Sequence, residues 1–386
     1  MQRFVRTLAA SAVALAATAL FSLPAAAAGD TIKIGSFLAA TGPAAFLGDP
    51  EMKTLKLYVE KINAEGGVLG KKVELIAYDT GLSAKKSISF VKRLIQQDKV
   101  DVIVGGTTTG ETMAVIKEVE KAGIPFISLA GAGIIINPVK KWVFKTPHTD
   151  RLAVVKVFRD MQKRGIKNVG VIAGSGGFDK SCRGNAKDLA PKYGITIVAD
   201  ETHGKGDTDM TPQLTKIKNT PGLQAVLGCG FGAPASIITK NYRQLGISVP
   251  LYYNHGVASK GYIKGAAGAA EGVRHPAAAL LVAEQLPDGH PQKKVALAYR
   301  KAYTERYKED VSTFGGHAYD GLFIAINAIK RAGTTDKAKV LAEIENTKNF
   351  VGVDGIFNIT PQDHLGLDEK SLVMVEIRNG TWKLLK

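Results

Sequence analysis

Cysteine is scarce in this sequence, which has only Cys182 and Cys229 among its 386 residues and no C-x-x-C pair. A structural zinc site built from thiolates needs closely spaced cysteines, so that class of site is excluded. The seven histidines include no pair at helical spacing that would indicate a metal site. Both cysteines lie near the ends of predicted strands, so a disulfide and two buried thiols both remain open.

Long hydrophobic runs are absent after the first thirty residues, whereas a membrane-spanning helix needs about 20 apolar residues. Before that point, Arg3 and Arg6 precede an uncharged stretch over residues 7–29 that ends in consecutive alanines. A basic start, an apolar middle and an Ala-x-Ala end are typical of a secretory signal peptide. We therefore expect a signal peptide over residues 1–28, cleaved after Ala28, and a periplasmic mature protein. A membrane anchor is the alternative.

Acidic residues are outnumbered, 35 against 51 lysines and arginines, which gives a formal net charge of +16. The basic residues are spread along the chain, as is typical of a solvated surface, and we expect no nucleic-acid partner. The positive excess would still help to attract an anionic ligand. Removal of the signal peptide leaves about 358 residues (386 less 28), more than one hydrophobic core usually serves, so two lobes are expected.

Short β-branched runs alternate with amphipathic helical segments, which predicts an α/β protein with parallel sheets and right-handed crossovers. Two blocks of four such strands imply two doubly wound lobes. The predicted strands are 32–37, 73–79, 100–106 and 124–130 in the first block, and 169–174, 195–200, 223–230 and 249–254 in the second. Near the C-terminus, Asn379-Gly380 joins two short alternating runs, which predicts an antiparallel hairpin.

Three glycine-rich segments resemble enzyme motifs but lack a required residue. GSGGFDKS (174–181) has Asp179 where a phosphate-binding loop needs glycine before its lysine. GCGFGA (228–233) fits a loose dinucleotide pattern, but the next predicted strand does not end in the acidic residue that would bind a ribose. Ser175 has alanine where a nucleophile elbow has its first glycine. We therefore expect no catalysis, no cofactor and no metal.

The loops at the carboxyl ends of the strands supply the candidate ligand-binding residues, because ligands of open α/β sheets bind there. Thr108 and Thr109 stand at a predicted helix N-terminus, where free N–H groups and the helix dipole favour a carboxylate. A plain helix cap is the alternative for these threonines. The candidates are Phe46, Thr108, Thr109, Ala130, Gly131 and Ala132 in the first block, and Phe178, Cys229, Phe231 and His255 in the second.

Five segments in a fixed order carry a family resemblance: IKIGSFLAATGPAAFLGDP, INAEGGVLGKKVELIAYD, VDVIVGGTTTGETMA, AGIPFISLAGA and AYDGLFIAINAIKRAG. They resemble the leucine/isoleucine/valine-binding class of periplasmic receptors for ABC transporters, over most of the mature chain. The resemblance implies the type I periplasmic binding fold, in which two lobes joined by three crossovers close over a ligand.

The same resemblance implies the division of the chain and its partners. The expected N-terminal lobe comprises residues 29–147 and 274–359, and the C-terminal lobe comprises 148–273 and 360–386. The three crossovers are expected near 146–148, 273–275 and 357–361. Permease subunits of the inner membrane are the implied protein partners, and we expect a monomer.

Three positions depart from the pattern of the amino-acid-binding members. The resemblance implies that Thr108-Thr109 and the loop of Ala130 to Ala132 hold the α-carboxylate and help to hold the amine. Ala132 replaces a hydroxyl that helps to bind the amine, Phe178 replaces a tyrosine over the ligand, and His255 replaces an acid that pairs with the ammonium.

An unpaired ammonium in a desolvated cleft would cost several kcal/mol, so these departures argue against an α-amino acid. We expect a small carboxylate, favouring an aromatic acid of the benzoate, hydroxybenzoate or cinnamate type. A branched-chain or other amino acid is the first alternative, a urea or amide receptor the next, and a secreted enzyme the most remote.

Overall fold

The fold is described from a computed structural model that covers residues 31–204 and 206–385. The expected signal peptide, residues 1–28, lies outside the described residues. Among the described residues, no helix has both the length and the apolar character needed to cross a membrane.

The strands belong to two main sheets and one small one. Their bounds are β1 (Ile32–Leu38), β2 (Val73–Asp79), β3 (Val102–Gly105), β4 (Phe126–Ser128), β5 (Val143–Lys145), β6 (Asn168–Ala173), β7 (Thr196–Thr202), β8 (Ala225–Cys229), β9 (Leu251–Tyr253), β10 (Arg274–Ala278), β11 (Phe350–Val351), β12 (Ile356–Phe357), β13 (Leu372–Arg378) and β14 (Thr381–Leu384). The first sheet has the order β2-β1-β3-β4-β5 and is parallel throughout. The second has the order β14-β13-β10-β9-β8-β6-β7, while β11 and β12 pair separately.

Helices follow most of the parallel strands, as the alternating pattern predicts. Their bounds are α1 (Ala45–Ala64), α2 (Ala84–Gln96), α3 (Thr109–Ala122), α4 (Asp150–Lys163), α5 (Gly177–Leu189), α6 (Thr211–Lys218), α7 (Gly232–Gln244), α8 (Lys260–Ala266), α9 (Lys293–Tyr307), α10 (Thr313–Ala332) and α11 (Lys337–Glu345). Side-chain caps begin several of them: Thr108 caps α3 and Thr149 caps α4 by accepting from backbone N–H groups one turn on.

Separate hydrophobic cores define two lobes. One core packs β1–β5 against α1–α3 and also against the late helices α9–α11. The faces of the second sheet are covered by two further clusters, one with α6–α8 and one with α4 and α5. The prediction of an α/β fold with two doubly wound lobes is confirmed.

The passages between the lobes differ in part from the expected boundaries. The first passage joins β5 to α4. The strand β10 pairs with β9 and β13 of the second sheet, so the second passage follows Ala278 instead of preceding residue 274. Ile359, Leu365 and Leu367 pack in the first core, which moves the third passage to residues 368–371. The sequence of β10, RHPAA, has no β-branched residue and contains a proline, so its composition did not indicate a strand.

The C-terminal hairpin forms at the predicted dipeptide. Asn379 and Gly380 both have positive φ, 52° and 65°, as a two-residue hairpin turn of this kind requires. The carboxylate of Glu271 accepts hydrogen bonds from both of their backbone N–H groups, at 2.8 and 2.7 Å. The turn is therefore held against the rest of the second lobe, and the predicted hairpin is confirmed.

Cys182 of α5 and Cys229 at the end of β8 form a disulfide, with 5.7 Å between their Cα atoms. Both residues are buried in the cluster that packs α4 and α5 on the second sheet. The sequence left a disulfide and two thiols open, and the structure has the disulfide.

Reduction of the disulfide should lower the stability of the second lobe. Its cysteines are 47 residues apart, and closing a loop of that length stabilises the fold by about 4 kcal/mol in the chain-entropy account. For a chain of this size, that corresponds to a fall in melting temperature of about 5 °C. Calorimetry with and without reductant measures it, and the double variant Cys182→Ala/Cys229→Ala should not respond to reductant. Equal melting temperatures of the oxidised and reduced protein would contradict this account.

Candidate ligand-binding site

A chamber with about 410 Å³ of empty space, part of it open to solvent, lies between the lobes. The residues that line it are Leu47, Thr107, Thr108, Thr109, Leu129, Gly131, Phe314 and His317 of the first lobe, Pro147 of the first passage, and Phe178, Phe231, His255 and Gly256 of the second lobe.

A wider cleft of about 1470 Å³ adjoins the chamber and shares four of its lining residues, Thr108, Thr109, Phe178 and Phe231. Asp179 lies in this outer cleft. Its Oδ2 accepts from the backbone N–H of Gly176, and burial raises the pKa of its carboxyl to about 6. Carboxylates therefore line the outer cleft, whereas none lines the inner chamber.

Direct contacts between the lobes close the chamber. The ring of Phe46 in the first lobe packs 6.2 Å from that of Phe231 in the second, measured between centroids. The hydroxyl of Thr313 donates to the backbone oxygen of Ala258 across the cleft, at 3.2 Å. The structure is thus that of a closed hinge, in which the chamber's polar groups are removed from water.

Two polar atoms of chamber-lining residues are buried and have no hydrogen-bond partner among the described residues: Oγ1 of Thr109 and Nδ1 of His255. The adjacent Thr108 differs, because its hydroxyl donates to the Glu111 carboxylate at 2.8 Å and its oxygen caps α3. The sequence left open whether these threonines cap the helix or contact a ligand, and the structure gives the two residues different contacts. Thr108 is the cap, and Thr109 has a hydroxyl free for a ligand. Most buried polar groups in proteins have a hydrogen-bond partner, so these two atoms mark the chamber as a candidate site.

Aromatic rings form the walls of the chamber. The ring of Phe178 meets the imidazole of His255 edge-on, with 5.3 Å between centroids and 78° between planes, and lies 5.8 Å from the ring of Phe231. On the opposite lobe, Phe314 meets His317 edge-on at 5.9 Å. With the neighbouring leucines, these rings make an apolar enclosure suited to a flat hydrophobic body.

The absence of side chains at two glycines allows this close packing. A Cβ added at Gly131 would lie 2.6 Å from Cε2 of Phe178 and 3.1 Å from Nε2 of His255. A Cβ added at Gly256 would lie 2.6 Å from the backbone oxygen of Gly230. Gly131 belongs to the first lobe and Phe178 to the second, so the first of these contacts depends on closure.

None of the residues that line the chamber, within the described part of the chain, carries a carboxylate. The imidazoles are neutral, because burial lowers the pKa of His317 to about 3 and lowers that of His255 well below its usual value. The chamber therefore offers hydroxyl, imidazole and backbone groups, but no anionic partner for an ammonium.

Six of the ten residues expected at the site line the chamber: Thr108, Thr109, Gly131, Phe178, Phe231 and His255. Phe46 packs at its edge, against Phe231 and Phe314. Ala130 and Ala132 are buried beside Gly131 and do not line the chamber. Cys229 does not line it either, because its sulfur is bonded to Cys182 in the core of the second lobe.

The chamber also contains residues that the sequence did not indicate. Leu47, Thr107, Leu129 and Gly256 adjoin expected residues along the chain, so a wider reading of the same loops could have found them. Pro147, Phe314 and His317 have no such signal. The last two are brought to the chamber by α10, which belongs to the first lobe and follows strands β6–β10 of the second.

Residues 31–381 match the family of periplasmic binding proteins. The chain belongs to this family. It is a solute-binding protein of the type that serves ABC transporters, and the family is not one of enzymes. These findings confirm the family resemblance found in the sequence.

Individual relatives agree with this assignment. The leucine-, isoleucine-, valine-, threonine- and alanine-binding protein of Pseudomonas aeruginosa is 26% identical over 364 residues, which cover 93% of this chain and 91% of that protein. The crystal structure of an extracellular ligand-binding receptor from Rhodopseudomonas palustris HaA2 is 30% identical, with a TM-score of 0.86 over 92% of this chain and all of that one. A solute-binding protein of an R. palustris ABC transporter, solved in complex with benzoate, shares the fold at 21% identity, with a TM-score of 0.78 over 92% and 96% of the two chains.

Replacing Gly131 by alanine should oppose closure, because the added Cβ would meet the Phe178 ring of the other lobe. Overpacking of this kind costs about 1–3 kcal/mol, which corresponds to roughly 5- to 150-fold weaker ligand binding. Small-angle scattering should show a larger radius of gyration for Gly131→Ala than for the wild type. Gly110→Ala is the matched control, since an added Cβ there has open space. An unchanged radius of gyration and unchanged affinity in Gly131→Ala would contradict the closed geometry.

Proposed function

We propose that this protein is the substrate-binding component of an ABC uptake transporter and that it binds a small aromatic carboxylate in the interlobe chamber. One observation carries the choice of ligand. The closed chamber has a free hydroxyl at the N-terminus of α3 and aromatic walls, and none of its lining residues carries a carboxylate to pair with an ammonium.

The carboxylate would bind at Thr109. Its unpartnered Oγ1 can donate to an anion, and the first N–H groups of a helix point in the same direction as the positive end of the helix dipole. The ring of the ligand would then pack against Phe178 and Phe231. His255 is neutral and has a ring nitrogen without a partner, so it can hydrogen-bond to the carboxylate or to a ring hydroxyl.

An α-amino acid is the second candidate, favoured by the similarity to the receptor of P. aeruginosa that binds five amino acids. Its carboxylate would use the same Thr109 site. Its ammonium would have only backbone carbonyls and neutral side chains around it in the chamber, at a desolvation cost that the aromatic acid avoids. The R. palustris structure with benzoate illustrates that this fold can enclose an aromatic acid.

The wider biology follows from the same proposal. Export by the N-terminal segment, with cleavage after Ala28, would place the mature protein in the periplasm. Permease subunits would contact the outer faces of both lobes once these have closed, and the receptor would act as a monomer.

A ligand panel tests the proposal directly. Protein corresponding to residues 29–386 is unfolded and refolded to remove carried-over ligand, and its melting temperature is then measured with benzoate, 4-hydroxybenzoate, cinnamate, leucine, valine, glutamate and urea. A ligand at a hundredfold excess over Kd stabilises the folded state by about 2.7 kcal/mol. Aromatic acids should raise the melting temperature, while leucine and valine leave it unchanged. A shift with leucine alone would keep the receptor class and reject the aromatic ligand.

Thr109→Val should separate ligand binding from folding. The variant keeps the shape and removes a buried hydroxyl that has no partner, so the melting temperature of the free protein should be unchanged or slightly higher. Loss of a hydrogen bond to a charged group should weaken benzoate binding by about 1.5–3 kcal/mol, or roughly 10- to 150-fold.

Thr112→Val is the matched control, one turn along the same helix. The Thr112 hydroxyl is buried and fully engaged, donating to the Gly106 backbone oxygen at 3.0 Å and hydrogen-bonded to the Ser128 hydroxyl at 2.8 Å. This variant should lower the melting temperature and leave the affinity of the folded protein unchanged. If Thr109→Val instead lowered the melting temperature and Thr112→Val weakened benzoate binding, Thr109 would be rejected as the anion site.

A further inference from the structure

Lys145, the last residue of β5, is a buried cation directly behind the wall of the chamber. Its side chain is 0% exposed. Its ammonium donates to the backbone oxygen of Gly131 at 3.3 Å and to that of Pro147. Both of these residues line the chamber. A ligand in the chamber would therefore be separated from this positive charge by only one layer of backbone.

The ammonium of Lys145 has no carboxylate oxygen within 4 Å among the described residues. Each nearby acid uses one carboxylate oxygen elsewhere: Asp150 Oδ1 accepts from the backbone N–H of Gly133 and Asp363 Oδ1 from that of Leu365. Oδ2 of Asp150 and Oδ1 of Asp354 are buried without a hydrogen-bond partner among the described residues, and neither contacts the ammonium. Asp354 Oδ2 lies 2.6 Å from Nδ1 of the His317 imidazole. Buried charges are normally paired directly, so the position of Lys145 calls for an anion that the protein itself does not place in contact with it.

We propose that Lys145 is the counter-charge for an anionic ligand, so that the closed chamber prefers a carboxylate to its neutral amide. This inference rests on the proposed function, because it assumes that the ligand is a carboxylate. It adds a residue that does not touch the ligand but sets the charge that the chamber accepts.

The titration of Lys145 gives the proposal a measurable form. Burial lowers the pKa of its ammonium to about 7, and the neighbouring carboxyls only partly oppose that effect. The titratable groups around it are His148, Asp150, His255, His317, Asp354, Asp363 and His364. Burial lowers the pKa of three of these imidazoles, those of residues 148, 255 and 317, and raises that of the Asp150 and Asp354 carboxyls, and each of these shifts favours the neutral form of the group.

The direction of the pH effect follows from these states. Below pH 7 the lysine is already charged in the free protein, so an anion binds at full strength without proton uptake. Above pH 7 the free lysine is neutral, and the bound anion raises its pKa and recruits a proton from solvent. Affinity for the anion should then fall by up to about tenfold per pH unit above pH 7.

Isothermal titration of the wild-type protein with benzoate, in phosphate and in Tris buffers, counts the protons exchanged. Uptake of about 0.5 proton per benzoate at pH 7 and about 0.8 at pH 8 is expected for a group whose free pKa is near 7 and whose pKa the bound anion raises by about two. Benzamide, which has no charge, should bind with no proton uptake and no pH dependence over this range.

Lys145→Met identifies the residue responsible. For unit charges about 6 Å apart at an effective dielectric constant of about 20, the lost attraction corresponds to roughly a hundredfold in affinity. Benzoate binding at pH 6.5 should fall by that order, benzamide binding should be unchanged, and proton uptake should disappear. Lys156→Met is the matched control. Lys156 is a half-buried lysine on α4 that donates to the backbone oxygen of Glu369, away from the chamber. Its replacement should change neither the affinity for benzoate nor the proton uptake.

The outcomes separate this inference from the function on which it rests. Failure of benzoate, 4-hydroxybenzoate and cinnamate to bind the wild type would reject the aromatic-acid function and the inference together. Binding of benzoate without proton uptake at pH 8 would reject the inference alone. Proton uptake that persists in a folded Lys145→Met variant would assign the proton to another group of the cluster and overturn the role of Lys145. If that variant does not fold, the absence of proton uptake by the wild type at pH 8 would still reject the inference.

Discussion

Buried polar contacts fix the first passage between the lobes, which includes Pro147 of the chamber wall, against the first lobe. The hydroxyl of Thr146 donates to the backbone oxygen of His317 at 2.8 Å, and Nε2 of His148 lies 2.8 Å from the backbone oxygen of Asp354. These bonds join the passage to α10 and to the loop before β12, which are distant in sequence. Because these groups are buried, breaking one of the bonds would leave an unsatisfied group, so the passage is held against the first lobe.

The chemistry of the chamber depends on closure of the two lobes. Closure brings Phe178 of one lobe against Gly131 of the other and removes the hydroxyl of Thr109 from water. In such a dry space an ammonium without a carboxylate would be costly, whereas a carboxylate facing a helix N-terminus is not. The selectivity that we propose therefore depends more on the charges that the chamber lacks than on its shape.

Local sequence patterns predicted much of this architecture, because parallel strands, helix caps and the Asn379-Gly380 turn are each encoded within a few residues. The boundary strand β10 was not predicted, since Pro276 and its alanine neighbours have low strand propensity and are held by pairing with β9 and β13. Likewise, Thr109 was predicted at the site from its position before a helix, but His317 was not, because only tertiary packing brings α10 to the chamber. Cys229 was placed at the site by its strand-end position, and its bond to Cys182 could not be derived without the distance between them.

A crystal structure of the refolded protein, grown with equal concentrations of benzoate and leucine, tests the central claim most directly. The account predicts density for benzoate in the inner chamber, with its carboxylate on Oγ1 of Thr109 and its ring against Phe178. Density for leucine, with its ammonium held by backbone carbonyls or by His255, would contradict the claim that this chamber excludes an amine.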